Sequence, residues 1–169
     1  MKKATLILIL AALVFPAVVF PSRVSASAAQ EGTKAVFSDV EGKEWILSEV
    51  RAAGKTVSIN RKQLEAGNMA GAFSISFQKD SASNGGRLGG MGAPNRYFAG
   101  YTPGAGKALS ITPIASTLMV AIIEPEGLKE REYFDYLAKV TRWELRDSKL
   151  ELYSSNAANA EAVLVFSRK

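Results

Sequence analysis

The stretch Arg87-Leu-Gly-Gly-Met-Gly-Ala-Pro-Asn-Arg-Tyr-Phe-Ala-Gly-Tyr-Thr102 constrains the fold more than any other part of the chain. Glycines at 89, 90, 92 and 100 allow positive φ or a close backbone approach, and Pro94 fixes φ where the chain leads into Asn95. The backbone therefore turns sharply here and passes close to another segment. Just before it, Phe73-Ser-Ile-Ser-Phe77 alternates cleanly, which predicts a strand with Phe73, Ile75 and Phe77 on a core face. Asn84-Gly85 suits the paired positive-φ positions of a type I′ hairpin, and Arg96 to Thr102 is the next strand.

The remaining pattern is mostly short strands. Glu44 to Val50 and Thr56 to Ile59 flank a turn at Ala53-Gly54-Lys55, and Asn60 caps one helical turn through Glu65 that Gly67-Asn68 ends. Ala108 to Ile111 is a short strand, and Pro113 to Ile123 is apolar without a clear period. From Glu126 the pattern becomes helical, with Leu128, Tyr133, Phe134, Leu137 and Val140 on one stripe and Glu126, Glu130 and Glu132 where the helix dipole favours acids. Thr141 to Arg146, Leu150 to Tyr153 and Ala162 to Phe166 then form a meander, with Asp147-Ser148 as a turn and Asn156 to Asn159 as a loop. The expected fold is α+β: about eight antiparallel strands in a sheet curled around or against one helix.

Two absences narrow the chemistry. The chain has no histidine and no cysteine, which removes triad and thiolate nucleophiles, disulfides and most zinc ligand sets. Thr102-Pro-Gly-Ala-Gly-Lys107 is not a phosphate loop, because Tyr101 stands at the first glycine position and Ala108 at the final hydroxyl position. Gly90-Met-Gly92 likewise lacks the third glycine of a dinucleotide fingerprint, where Asn95 stands. No cofactor and no metal is expected.

The N-terminus reads as a secretory signal: Lys2 and Lys3, an apolar run from Ala4 to Phe20 broken by Pro16, then Ala26-Ser-Ala28, with Val24-Ser-Ala26 as a second cleavage candidate. The expected organisation is a signal over residues 1–28, a mobile start over 29–36 and one domain over 37–169. Cleavage at Ala28 removes Lys2, Lys3 and Arg23 and no acid, leaving 18 basic against 16 acidic side chains, so the net charge falls from +5 to +2. That thin positive charge, together with export, argues against a nucleic-acid partner. A soluble periplasmic or secreted monomer without a membrane anchor is expected.

Several segments in order resemble a known family. Gly89-Gly-Met-Gly-Ala-Pro-Asn-Arg-Tyr-Phe-Ala-Gly-Tyr101, Leu109-Ser-Ile-Thr-Pro-Ile-Ala-Ser-Thr-Leu-Met119, Lys129-Glu-Arg-Glu-Tyr-Phe-Asp-Tyr-Leu137, Leu150-Glu-Leu152 and Val163-Leu-Val-Phe166 resemble the META domain of HslJ-like heat-shock and envelope proteins. The likeness runs from about Trp45 to Phe166 and implies a partly open antiparallel barrel with one helix packed in its cleft. The sequence departs from the family at Pro94 and Ala121, where relatives carry cysteines, so a cystine or redox role is removed. The paired departure implies that the Gly-rich turn and the segment after Met119 are neighbours.

Asn95, Arg96, Tyr97, Tyr101 and Trp143 are the candidate ligand contacts, with Phe98 beside them in a possible apolar cleft; each also reads as a turn, surface or core residue. Gly89, Gly90, Gly92, Pro94, Gly100, Thr117 and Met119 are structural, with Thr117 and Met119 expected to pack under the Gly-rich turn. Glu124, Glu126, Glu130 and Glu132 lack the aspartate-rich spacing of a calcium loop. The expected function is a non-enzymatic envelope module that binds a small hydrophobic molecule, a lipid or an envelope protein. A stress-related or secretion and assembly factor is the alternative, and a carboxylate-only hydrolase stands last.

Overall fold

The computed structural model describes residues 35–121, 125–155 and 161–169. The expected signal at 1–28, nearly all of the mobile start and the loop at Asn156 to Asn159 lie outside the described residues. Ten strands form one antiparallel sheet: β1 Glu44–Ala52, β2 Lys55–Ser58, β3 Ser74–Lys79, β4 Gly86–Met91, β5 Arg96–Pro103, β6 Leu109–Ile111, β7 Ala115–Ser116, β8 Val140–Arg146, β9 Lys149–Ser155 and β10 Glu161–Arg168. Among the described residues, two α-helices, α1 Arg61–Ala66 and α2 Glu130–Leu137, join the sheet.

The main path runs β6-β5-β4-β3-β1-β10-β9-β8, with β2 added to β1 and β7 to β5. The last strand is thus inserted between β1 and β9, and that non-local pairing curls the sheet into a barrel. Its ends meet where the Trp143 N–H donates to Lys107 O (2.9 Å) and Ala108 bridges to Arg142. Elsewhere the β6–β8 seam is not sealed by ladder bonds. The α+β class and the nearly closed barrel agree with the expectation drawn from the sequence.

Alternation fills the barrel. Phe73 and Phe77 on one side and Tyr97 and Tyr101 on the other lie four residues apart along parallel-running strands, so they define two aromatic layers roughly 13 Å apart. In one layer, Phe37 from a short 3-10 turn (Phe37–Asp39) packs edge-on against Phe77 (5.3 Å) and Trp143 (5.0 Å) and tilts on Tyr101 (5.4 Å). In the other, Tyr133 of α2 meets Phe73 (5.2 Å) and Tyr97 (5.8 Å) edge-on. Leu137, fully buried, extends the same helical stripe into the core. Asn60 caps α1 as expected, its Oδ1 accepting from the Gln63 N–H (3.1 Å).

Four local expectations are corrected. Neither Asn84 nor Gly85 has positive φ: the Asp80 N–H bonds to Gly85 O (2.9 Å), and the longer loop is held instead by Asp80 Oδ1 accepting from the Ala82 N–H (2.9 Å). The paired positive-φ hairpins are at Ala53-Gly54 (φ 51° and 73°) and Asp147-Ser148 (48° and 61°). Helix α2 opens at Glu130 rather than Glu126, because Gly127 at φ 81° interrupts the backbone, and Val140 belongs to β8. Met119 and Thr117 do not pack under the turn; both are exposed and are held by hydrogen bonds to Asn95.

The packing makes Leu137→Ala and Phe37→Ala costly, at about 2–5 and 3–5 kcal/mol respectively, whereas Asp135→Ala on the exposed face changes stability by less than ~0.5 kcal/mol. Denaturant titrations of the three variants measure these losses. Equal, small losses at all three positions contradict a core built on α2 and the 3-10 turn.

Candidate functional site

Glu130 is the first residue of α2, and both oxygens of its carboxylate are occupied. Oε1 accepts from the Ala93 N–H (2.5 Å) and the Asn95 N–H (2.7 Å), and Oε2 accepts from Asn95 Nδ2 (2.6 Å). Asn95, 5% exposed, donates from Nδ2 also to Met119 O (3.1 Å), while its Oδ1 accepts from Thr117 Oγ1 (2.8 Å) and the Met119 N–H (2.6 Å). That is two donor and two acceptor bonds, the full capacity of one amide. The Gly-rich turn, the 117–119 segment and the start of α2 are thereby tied at one point.

The sequence explains why the turn fits. The Gly92 N–H donates to Asn95 O (2.6 Å) across a cis Ala93–Pro94 bond, so the chain reverses within four residues. A Cβ at Gly92 would strike the Glu130 carboxylate and the Phe134 ring, and one at Gly90 would strike the Ser74 carbonyl oxygen. Glycine is required here for close approach, since neither position has positive φ. Across the turn, Phe73 sits at φ 54°, uncommon for a bulky side chain, and is held by its N–H to Gly92 O (3.1 Å) and by Leu47 N–H to its own carbonyl (2.9 Å).

Beneath the clamp, Tyr97 OH donates to Ser74 O (2.8 Å) and lies 2.9 Å from Tyr133 OH. Burial disfavours phenolate and pushes both hydroxyls above the ordinary tyrosine range; for Tyr133 its contact with the Tyr97 hydroxyl and the Arg61 charge oppose that rise. Both stay neutral at physiological pH and act as structural donors. Arg61, whose guanidinium donates to Ala72 O (2.7 Å) and Leu47 O, is lowered by burial and opposed by Tyr133.

Two depressions flank the 116–120 segment. One, of about 330 Å³, is lined by Met69, Met91, Pro94, Arg96 and Met119 over the Gly71-Ala72 backbone. The other, of about 370 Å³, lies between Leu118, Val120, Arg131 and Phe134. A wider, more polar cleft of about 810 Å³ opens beside Lys79, Asp80, Arg87, Phe98 and Thr102. Among the described residues, no group of three or more His, Cys, Asp or Glu side chains is placed to hold a metal ion.

The sequence model of the META domain matches residues 38–169. The chain belongs to the META domain family. Its fold is similar to that of a protein from Burkholderia xenovorans solved by NMR, at 18% identity and TM-score 0.56 over 82% of this chain and 96% of that one. It is also similar to a crystal structure of a DUF4847 family protein from Bacteroides vulgatus, at 10% identity and TM-score 0.50 over 79% and 96% of the two chains. At these identities the likeness concerns the fold alone. No curated protein matches the sequence.

Within this META domain the five candidate ligand residues separate. Asn95 is buried in the clamp, and Arg96 is exposed on the methionine-lined groove. Tyr97, Tyr101 and Trp143 are 2–3% exposed: Tyr97 bonds within the core, Tyr101 OH donates to Glu41 Oε1 (2.6 Å), and the Trp143 ring lies under Lys107 Nζ (3.9 Å). Their rings are core, because alternation along β5 and β8 turns them inward, and they are not brought together around the groove. Phe98, on the opposite face of β5, is 56% exposed, with the Arg87 guanidinium 6.0 Å from its ring.

In the sequence Glu130 stands among ordinary helix-start acids, and no local pattern marks Met69, Met91 or Arg131. The signal present was Asn95 following a Gly-Ala-Pro turn, a buried amide that needs a partner with more than one acceptor. Asn95 joins the Gly-rich turn to Thr117 and Met119.

Replacing Glu130 by alanine leaves the Ala93 and Asn95 donors without their acceptor. A loss of about 3 kcal/mol is expected, from the upper range for stranded buried donors, with Glu130→Gln falling between the two. Denaturant midpoints at constant slope measure it. A loss below ~0.5 kcal/mol for Glu130→Ala contradicts the clamp's role.

Proposed function

We propose that this META domain is an exported, non-enzymatic binding module whose groove beside the Asn95–Glu130 clamp takes an elongated apolar molecule with one anionic group. The observation that carries the reading is the groove lining: Met69, Met91 and Met119 converge on about 330 Å³, with Arg96 as the one ionisable side chain among the described residues that line it. That volume lies at the lower end of the ~300–1,000 Å³ range of small-molecule sites, and thioether side chains adapt to apolar ligands of varied shape. Arg96 offers planar donors for a carboxylate or phosphate, which fixes the ligand's polar end at the β5 side.

The chemistry of the chain supports binding over turnover. Without histidine or cysteine, an acid-base role falls to carboxylates or tyrosines. Glu130 is committed to three donors in the clamp, and Tyr97 and Tyr133 are buried and neutral. Export is supported by Lys2, Lys3 and the apolar run from Ala4 to Phe20. Among the described residues no helix is long and apolar enough to cross a membrane.

Displacement of 1-anilinonaphthalene-8-sulfonate in lipid-free buffer tests the reading. Decanoate is expected to displace the probe; Met91→Lys abolishes displacement, and Arg96→Ala weakens decanoate about five- to tenfold while leaving decanol unchanged. Near-UV circular dichroism verifies that each variant is folded. Failure of decanoate to displace the probe, or equal displacement from Met91→Lys, contradicts the proposed groove.

A further inference from the structure

Leu118, Met119 and Val120 are consecutive, and they are 97%, 61% and 91% exposed. The backbone behind them is fixed: the Thr117 N–H donates to Arg96 O (3.0 Å), and Met119 is held by Asn95 through both its N–H and its carbonyl. A rigidly supported apolar ridge is therefore presented outward. Burying these side chains elsewhere in the chain would remove a standing hydrophobic cost. The clamp holds them out instead.

The charges beside the ridge indicate what covers it. Arg96 lines the depression on one side with Thr117 and Met119, and Arg131 lines the other with Leu118 and Val120. Both are exposed, and neither has a carboxylate partner among the described residues. Beside Arg131 in sequence, Glu130 is engaged by three donors of the Gly-rich turn, and Glu132 accepts from Tyr136 OH (3.0 Å). Further along the outer face of β5, Phe98 adds an exposed ring, with Arg87 near its face. Apolar side chains at the crest with exposed cations at the base make the pattern of a protein that seats in the headgroup–acyl boundary of an anionic bilayer.

We propose that the Leu118–Met119–Val120 ridge inserts into an anionic lipid surface, with Arg96 and Arg131 on its two sides pairing with lipid phosphates. The docking shares Arg96 and Met119 with the methionine-lined groove but needs no ligand in it. It needs only the ridge, its two arginines and the clamp that supports them.

The absence of cysteine allows a local readout on the full chain. Val120→Cys carrying an environment-sensitive nitrobenzoxadiazole label reports insertion at the ridge whatever the apolar N-terminal segment does, and Thr56→Cys on the exposed part of β2 is the control. With vesicles of phosphatidylglycerol and phosphatidylcholine, emission at position 120 is expected to rise and shift to the blue, and at position 56 to stay unchanged. Arg96→Gln and Arg131→Gln each lower the partition coefficient about fivefold, from ~1 kcal/mol per basic residue near the surface. Leu118→Asp lowers it at least about tenfold. No response at position 120 in a folded protein, equal responses at 120 and 56, or binding unchanged in Leu118→Asp overturns the proposal. A blue-shifted label in lipid-free buffer that depends on protein concentration also overturns it, because a second copy then covers the ridge.

Discussion

The Glu130 carboxylate is the constraint on which the rest of the structure depends. Three donors of the Gly-rich turn converge on it, and through Asn95 it also holds the 117–119 segment. Charge-assisted bonds of this length are roughly twice as strong as neutral ones. Because Glu130 is the first residue of α2, the same bonds fix where the helix starts and so which residues its stripe delivers. Tyr133 and Leu137 on that stripe reach the core, and Phe134 closes against Tyr97 (5.2 Å).

From that point the barrel follows. Tyr133 and Tyr97 share Ser74 O, which anchors α2 to the first residue of β3 and the second of β5. The opposite aromatic layer is closed by Phe37 from the N-terminal side, so each end of the barrel is filled by rings contributed from outside the sheet. A barrel filled this way keeps its interior for packing. Ligand and surface chemistry is left to the rim, where the clamp shapes a methionine-lined groove and supports an apolar ridge.

Much of this was legible in the sequence where alternation or turn chemistry was strong. Phe73 to Phe77, the strand from Arg96, the Asn60 cap and the final meander follow from local pattern, and the segments from Gly89 to Phe166 carry the family likeness. The corrections have physical causes. Asn84-Gly85 has the composition of a tight hairpin, yet Asp80 and Ser83 offer side-chain bonds that stabilise a longer loop. The apolar segment from Pro113 shows no period because Leu118, Met119 and Val120 are exposed while Asn95 holds the backbone behind them. Glu130 was indistinguishable from its neighbours, since helix-start acids are common and only the fold brings this one to Asn95. The insertion of β10 between β1 and β9 is a pairing between chain ends, and no local signal encodes it.

The central claim is that Glu130 locks the Gly-rich turn to the helix in the native state. Amide hydrogen exchange at Ala93 and Asn95, followed by NMR, tests it most directly, because both N–H groups sit in a turn and owe their protection to one carboxylate. The account predicts that these two amides exchange only through global unfolding, at the same free energy as Leu88 and Phe166 in the central strands. Exchange at Ala93 and Asn95 at loop-like rates, while the strands stay protected, would contradict it.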